Sequence, residues 1–324
     1  VRAVRAVRPL VWAVAALAAA VGAVLTVPLW AGAFVVAQLV PFRALLGLAA
    51  LLPAAVMLAV PAARRALWPV AVVLLAVAVG QAGVLLARSV PTAGAGDEGG
   101  AADAVTVLSF NTLDVLPAGD LVALVRRTGA DVVVLPETSE RTAQAVRAAL
   151  ASAGTPMQAL TAPGSVPTIA GTALLVSPAL AGDYRSEPLP TRLGSLRATS
   201  ATGPTLAGAH PTAPITRSAM AAWRDETAAV ARACAQTPGA VVAGDLNATL
   251  DHPGLSDLGP CVDAARAAGR GAVGTWPASA PGVLAAPIDH VLVDARAWRV
   301  VGFEVLAPTG GSDHRPVVAR LVPR

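Results

Sequence analysis

The sequence predicts an α/β protein in two parts: N-terminal transmembrane helices, then a sandwich of mixed β-sheets flanked by helices. Three observations predict it. The first ninety residues are almost wholly Ala, Val, Leu, Gly and Pro, with no acid before Asp97. After residue 103 the pattern changes to short apolar runs broken by turns. In that second part strands outnumber helices and alternate with them irregularly, which favours mixed sheets over one purely parallel sheet.

The apolar fraction of the 324 residues is 55%, above that of an ordinary soluble chain. The excess lies in Leu10–Val27, Ala44–Val60 and Leu67–Ala87, runs of 17–21 residues. Each is close to the ~20 residues that cross a hydrocarbon core. Trp12, Trp30 and Trp68 sit near the run ends, where interfacial aromatics belong. The stretch Trp30–Pro41 either extends the first span or lies along the surface. A basic start before an apolar run also fits a signal peptide, but the two later runs favour a retained anchor.

Every basic side chain is Arg. Seven lie in the first ninety residues: Arg2, Arg5, Arg8, Arg43, Arg64, Arg65 and Arg88. The remaining 17 face all 20 acids, so the second part is mildly acidic although the whole chain is +4. A groove for a nucleic-acid backbone needs the opposite sign, which makes nucleic acid the less favoured partner. The Arg bias places the N-terminus and an Arg64/Arg65 turn in the cytoplasm, with only Arg43 in the opposite loop. Three spans then put everything after Arg88 outside; two would reverse this. The expected organisation is a multi-pass anchor over 1–88, a flexible Gly-rich linker over 89–102 and a catalytic domain over 103–324.

In the second part, strands are expected at Val105–Phe110, Asp131–Leu135, Gly171–Val176, Thr205–Ala209, Ala240–Ala243, Ile288–Val293, Val300–Val305 and Val317–Leu321. Helices are expected after Asp120 as cap, over Ser139–Leu150 and over Ser218–Ala235.

Six polar motifs interrupt these runs: Ser109-Phe110-Asn111-Thr112, Leu135-Pro136-Glu137-Thr138, Gly208-Ala209-His210-Pro211, Gly244-Asp245-Leu246-Asn247, Ile288-Asp289-His290 and Ser312-Asp313-His314-Arg315. Asp and Asn two apart in an extended segment project on one side. Taken singly, Asp289 could be a strand-edge carboxylate and His210 a turn residue. Together, in this order, they resemble the endonuclease/exonuclease/phosphatase superfamily over Val105–Leu321. The membrane-anchored bacterial branch, including teicoplanin-resistance-type proteins, is similar in having N-terminal spans.

The resemblance implies a four-layer α/β sandwich and metal-dependent phosphoester hydrolysis. Its cofactor would be Mg²⁺, with Mn²⁺ an alternative, a hard cation bound through one or two carboxylates. Glu137 matches the metal carboxylate, Asp313 can assist, and Asn111 offers a carbonyl to the metal or an amide to the phosphate. Asp245 matches the residue that orients or deprotonates water, and Asn247 a phosphate donor. His314, held by Asp289, would stabilise the phosphorane; His210 would contact phosphate or protonate the leaving oxygen. Leu113 stands where some nuclease members carry an acid, which weakens a DNA-specific reading.

His290 is expected to be structural, on the opposite face from Asp289, and His252 an exposed loop residue. Thr275-Trp276-Pro277 is either a rim loop or a packed aromatic. If the domain lies outside, Cys234 and Cys261 can pair; two reduced core thiols are the alternative. The favoured substrate is a lipid-linked phosphate or pyrophosphate met at the bilayer. An extracytoplasmic nuclease and an inactive phospho-ligand receptor are the competing readings, and the oligomeric state is open.

Overall fold

The computed structural model describes residues 2–92, 104–180 and 182–324. It falls into two compact units, Val1–Ala87 and Arg88–Arg324. In the first, helix α1 spans Arg2–Thr26, the short α2 Val36–Leu39, α3 Arg43–Ala59 and α4 Pro61–Ser89. Three stretches are long and apolar enough to cross a membrane: Arg8–Thr26, Val36–Ala59 and Pro61–Ser89. Trp12 meets Trp68 edge-on at 5.6 Å, and a Cβ on Gly22 would overlap Val77, so α1 and α4 run side by side in the same direction. Glycine permits that close approach.

Two sequence expectations change here. Arg64 and Arg65 are not in a turn: only Val60 separates α3 from α4, and both arginines lie in the first turns of α4. Arg43 is not a loop charge. It is buried and donates through Nη1 to Gln81 Oε1 (2.8 Å), while Gln81 Nε2 donates to Thr26 Oγ1 (3.1 Å). Arg43 is therefore spent on holding three helices together, because a charge in an apolar bundle needs a polar partner.

The second unit holds two six-stranded sheets. The first has the order β11 (Trp298–Val305), β12 (Val317–Pro323), β1 (Val105–Ser109), β2 (Val132–Leu135), β4 (Thr172–Val176), β3 (Gln158–Ala162). The second has the order β5 (Arg185–Leu189), β6 (Ser195–Thr199), β7 (Leu206–Ala209), β8 (Val241–Asp245), β10 (Asp289–Asp294), β9 (Cys261–Asp263). Each contains one parallel pair, β1 with β2 and β7 with β8; the other pairings are antiparallel. The parallel pairs need crossovers, supplied by α5 (Ala118–Thr128) and α7 (Met220–Ala235). Helix α6 (Glu140–Ser152) joins α5, capped by Ser139 Oγ, which accepts from Thr142 N.

Strand alternation sorts the core into two. Val107, Val132 and Val134 face the second sheet and meet Leu206, Val241 and Val291. Their neighbours Leu108, Val133 and Leu135 face outward onto Leu121 and Leu124 of α5 and Val146 of α6. Helices, sheet, sheet and helix make four layers, as expected. Both faces of the central strands are covered, so they read as continuous apolar runs.

The strands β3, β5, β6 and β9 carried no clear apolar signal. β5, with Glu187 and Pro188, is an exposed edge, and β9 has three residues. Asp120 does not cap α5. The helix starts at Ala118 after Pro117, and Asp120 sits in its first turn, where its charge suits the helix N-terminus. Cys234, ending α7, is disulfide-bonded to Cys261 at the start of β9. Of the expected linker, Ser89 ends α4, and Val90 and Thr92 bond to Arg266 and Ala267. Residues 93–102 lie outside the described residues.

Candidate active site

Parallel pairing decides where the polar motifs meet. In a parallel pair both strands end at the same edge, so Asn111 and Glu137 follow β1 and β2 together. Likewise His210 follows β7 where β8 ends in Asp245. Sheet-on-sheet packing faces these two edges toward each other. Asn111 Nδ2 then donates to Glu137 Oε1 (3.0 Å) on its own sheet and to Asp245 Oδ2 (3.1 Å) on the other.

Local backbone fixes each side chain. Glu137 has φ +48°, and its carbonyl accepts from Thr112 Oγ1 (2.7 Å) and Asp114 N (2.8 Å), which hold that left-handed turn. Gly244 passes so close to Ala209 that a Cβ would collide with its backbone. Asn247, at φ +47°, donates its N–H to Asp245 Oδ1 (2.9 Å) and one amide proton to Pro211 O (3.1 Å). Its carbonyl accepts from Trp223 Nε1 (2.9 Å). Ser312 Oγ donates to Asn111 O (2.7 Å) and accepts from His314 N (3.1 Å), which pins the Ser-Asp-His loop beside β1.

His314 is the centre of a chain. Its Nδ1 lies 2.9 Å from Asp289 Oδ2 and its Nε2 3.5 Å from Asp245 Oδ2. Burial pulls its pKa down, but Asp289 and Asp245 outweigh that and hold it up at about 10. His314 is thus an imidazolium at neutral pH. His210 lies on the other side of Asp245, with Nε2 3.7 Å from Asp245 Oδ2 and 3.8 Å from Glu137 Oε1. Burial dominates there and lowers its pKa to about 4, so it is neutral. Burial raises the pKa of Asp245, with the Asp289 charge adding to it and His314 opposing. Burial and Asp245 likewise raise Glu137, against the Asn111 hydrogen bond. Opposed environments for paired titratable groups are the mark of acid–base machinery.

The structure brings together Asn111, Glu137, His210, Asp245, Asn247, Asp289 and His314. Asp313 sits apart at the rim, about half exposed. Its Oδ2 accepts from Trp276 Nε1 (2.8 Å) and its Oδ1 lies 3.9 Å from His314 Nε2. Trp276 is accordingly a half-buried rim residue. His290 is buried and away from the site, bonded to Asp263 and Ala248 O. His252 is not exposed, as the sequence reading had it. It is buried, accepts from Thr249 N at Nδ1 (2.8 Å) and stacks edge-on against Trp223. Ser195 and Trp223, which orient the site, had no local signal, since each acts on a residue distant in sequence; Thr112 and Thr275 lay inside motifs that were read without that role.

The residues suit a divalent cation. Glu137, Asp245 and Asp289 converge with one cationic side chain, His314, so negative charge is in excess, and it adds to burial, the larger cause, in raising the pKa of Glu137 and Asp245. Asp289 Oδ1 is buried without a partner. Asp245, Asp289 and His314 offer ligand atoms within 4.8 Å of one another, but the proton shared by Asp289 and His314 makes that trio a relay rather than a cage. Glu137 is the accessible oxygen donor. Asn111 presents its nitrogen to the carboxylates, while its Oδ1 accepts from Leu113 N (3.0 Å), so it offers an oxygen only after turning its amide.

The model of the Endonuclease/Exonuclease/phosphatase family matches residues 108–314. No curated protein matches the sequence. Among solved structures, an endonuclease/exonuclease/phosphatase from Beutenbergia cavernae DSM 12333 is similar at TM-score 0.57 and 18% identity, over 68% of this chain and 72% of that one. Humanized D. rerio TDP2 is similar at TM-score 0.54 and 15% identity, over 68% and 99%. A mannosyl-6-phosphatase from Bacteroides thetaiotaomicron VPI-5482 is similar at 0.51 and 15%, over 67% and 99%. At these identities the structures speak for the fold. With the family model covering well over half of the chain, the protein belongs to the endonuclease/exonuclease/phosphatase family, whose members are hydrolases acting on phosphate esters.

Proposed function

We propose that this protein is a membrane-anchored, divalent-metal-dependent phosphoesterase acting on a lipid-linked phosphate or pyrophosphate at the outer face of the membrane. The observation that carries the reading is the Asp289–His314–Asp245 chain with neutral His210 on its far side. Asp245 takes the proton of the attacking water or orients it. Cationic His314 and the remaining amide proton of Asn247 face the charge that grows on the phosphorus oxygens. Neutral His210 offers its ring N–H as a hydrogen bond to a phosphate oxygen, and the leaving oxygen takes its proton from solvent. Glu137, with Asn111 and assisted by Asp313, would hold Mg²⁺ or Mn²⁺, which supplies charge neutralisation.

Sidedness and substrate class rest on physical arguments. With Arg43 buried, Arg2, Arg5, Arg8, Arg64 and Arg65 stand at the start of α1 and of α4 against Arg88 alone at the end of α4, which favours the former end as cytoplasmic. The Cys234–Cys261 disulfide suits an oxidising compartment. Tethering to a bilayer raises the effective concentration of membrane-borne substrates, and the acidic balance of the second unit disfavours nucleic acid.

The test uses the full chain in detergent with Mg²⁺. Phosphate release from a polyprenyl pyrophosphate is compared with nicking of plasmid DNA, with Asp245→Ala and His314→Ala as controls. Release that both variants abolish supports the proposal. Nicking alone moves the protein to the nuclease reading, and silence in both assays leaves a binding role as the better account.

A further inference from the structure

Beyond residue 103, four large apolar side chains are exposed among the described residues: Leu113 (42%), Val115 (51%), Ile215 (77%) and Val283 (66%). A single exposed Leu or Val is ordinary, but the position of all four is not. Leu113 and Val115 lie on the loop that leaves Asn111. Ile215 lies on the loop that leaves His210. Val283 lies on the loop that Ala278 N ties to Asp313 O and Arg315 ties through Ala278 O and Ala280 O. Three loops from both sheets, each rooted in a site residue, turn their apolar members outward, and among the described residues after 103 no other large apolar side chain is exposed.

The first loop holds its apolar residues out at a cost. Leu113 (φ +53°) and Asp114 (φ +49°) are consecutive non-glycine residues in the left-handed region. Asp114 anchors the strained turn, its Oδ1 accepting from Ser139 N (3.1 Å) and Thr142 Oγ1 (2.7 Å). The same turn gives Leu113 N to Asn111 Oδ1 and Asp114 N to Glu137 O, so the backbone that positions the site also holds the leucine outward.

We propose that these loops form an apolar rim that seats the catalytic mouth on a lipid bilayer, with Leu113, Val115, Ile215 and Val283 entering the interfacial region. The bilayer is the apolar surface this chain itself brings within reach, through its three membrane-length helices. The inference deepens the phosphoesterase reading and rests on it for the identity of the mouth. A rim in the interface lets a lipid phosphate rise into the site without its chains leaving the membrane.

The test reconstitutes the full chain in phosphatidylcholine–phosphatidylglycerol vesicles. Single Ile215→Cys and Val283→Cys variants, and Arg127→Cys at the far end of α5 as control, are labelled with a bimane; both native cysteines are in the disulfide. Quenching by lipids carrying a shallow nitroxide at 215 and 283, but not at 127, is the expected result. Labels open to aqueous iodide and untouched by the nitroxide lipid overturn the rim. Labels shielded from both place another protein or a second copy over it and overturn the lipid assignment. Independently, the variant Leu113→Asn/Val115→Ser/Ile215→Ser/Val283→Ser is assayed on a water-soluble aryl phosphate and on a vesicle-borne lipid phosphate. Asparagine tolerates the left-handed backbone at 113. Soluble turnover within about twofold of native with lipid turnover down about tenfold or more supports the rim. Equal loss on both substrates overturns it. Silence of the native chain on both substrates strikes the phosphoesterase reading, and the quenching result then judges the rim alone.

Discussion

His290→Phe tests how the loop of Asp245 and Asn247 is supported. His290 and Asp263 are both buried, and the ring bridges Asp263 Oδ2 at Nδ1 (2.8 Å) and Ala248 O at Nε2 (2.9 Å). Both partners are acceptors, so both ring nitrogens donate and the ring is an imidazolium. Burial works against that charge, but Asp263 outweighs it and raises the pKa. Phenylalanine would leave the Asp263 carboxylate buried and unpaired, which costs about 3–5 kcal/mol, or about 10 °C in a domain of this size. Asp263 also caps α8 (Ala264–Ala267) by accepting from Arg266 N, so Asp263→Asn is the apt second change. With both charges removed, the double variant should lose about 2 kcal/mol less than the sum of the singles. The assay is thermal unfolding of the full chain in detergent, followed by tryptophan fluorescence. Because the folded pKa is raised, the ion pair's contribution is complete below the ordinary histidine value near 6.5. It drains away as pH rises through the folded value, a slope His290→Phe should lack. Additive single effects, a cost for His290→Phe under about 1 kcal/mol, or an unchanged pH slope would refute the reasoning.

Other expectations follow from the same geometry. Asp289→Asn removes the charge that holds His314 protonated. It should lower kcat about 10²–10⁴-fold and move the alkaline limb of the pH–rate profile from near 10 toward the ordinary histidine value, read with a soluble phosphoester. Chelation should abolish activity reversibly, and Glu137→Gln should raise the Mg²⁺ concentration needed for half-activity, measured by titration. Replacing both Cys234 and Cys261 by Ser opens a 27-residue loop and should cost about 3–4 kcal/mol, seen as a lower Tm. Gly244→Ala forces a Cβ into the Ala209 backbone between β7 and β8. It should reduce folded yield and displace both His210 and Asp245, checked by soluble expression and kcat.

Much was legible in the chain because it is written in local chemistry. Bilayer thickness is a length any apolar run can be measured against, so three membrane-length apolar stretches, two parts and the point where the acids begin came from residue order alone. Buried central strands such as Val132–Leu135 announce themselves as apolar runs, and the six polar motifs stood out because polar side chains at strand ends are poor core residues. The strands β3, β5, β6 and β9 were not legible, since an edge or a three-residue strand gains its stability from a neighbour rather than from its own pattern. The same holds for His252, whose short polar motif looks like an open loop until Trp223, on a helix earlier in the chain, covers it. Tertiary structure alone decided that Asp313 faces Trp276 while Asp289 faces His314, and that Arg43 binds helices together instead of marking a loop. It also decided that one histidine is neutral and the other cationic, though both sit in similar short motifs. A side chain's charge state and partner depend on what lies within a few ångströms in space, and in this fold those neighbours come from the ends of strands in two different sheets.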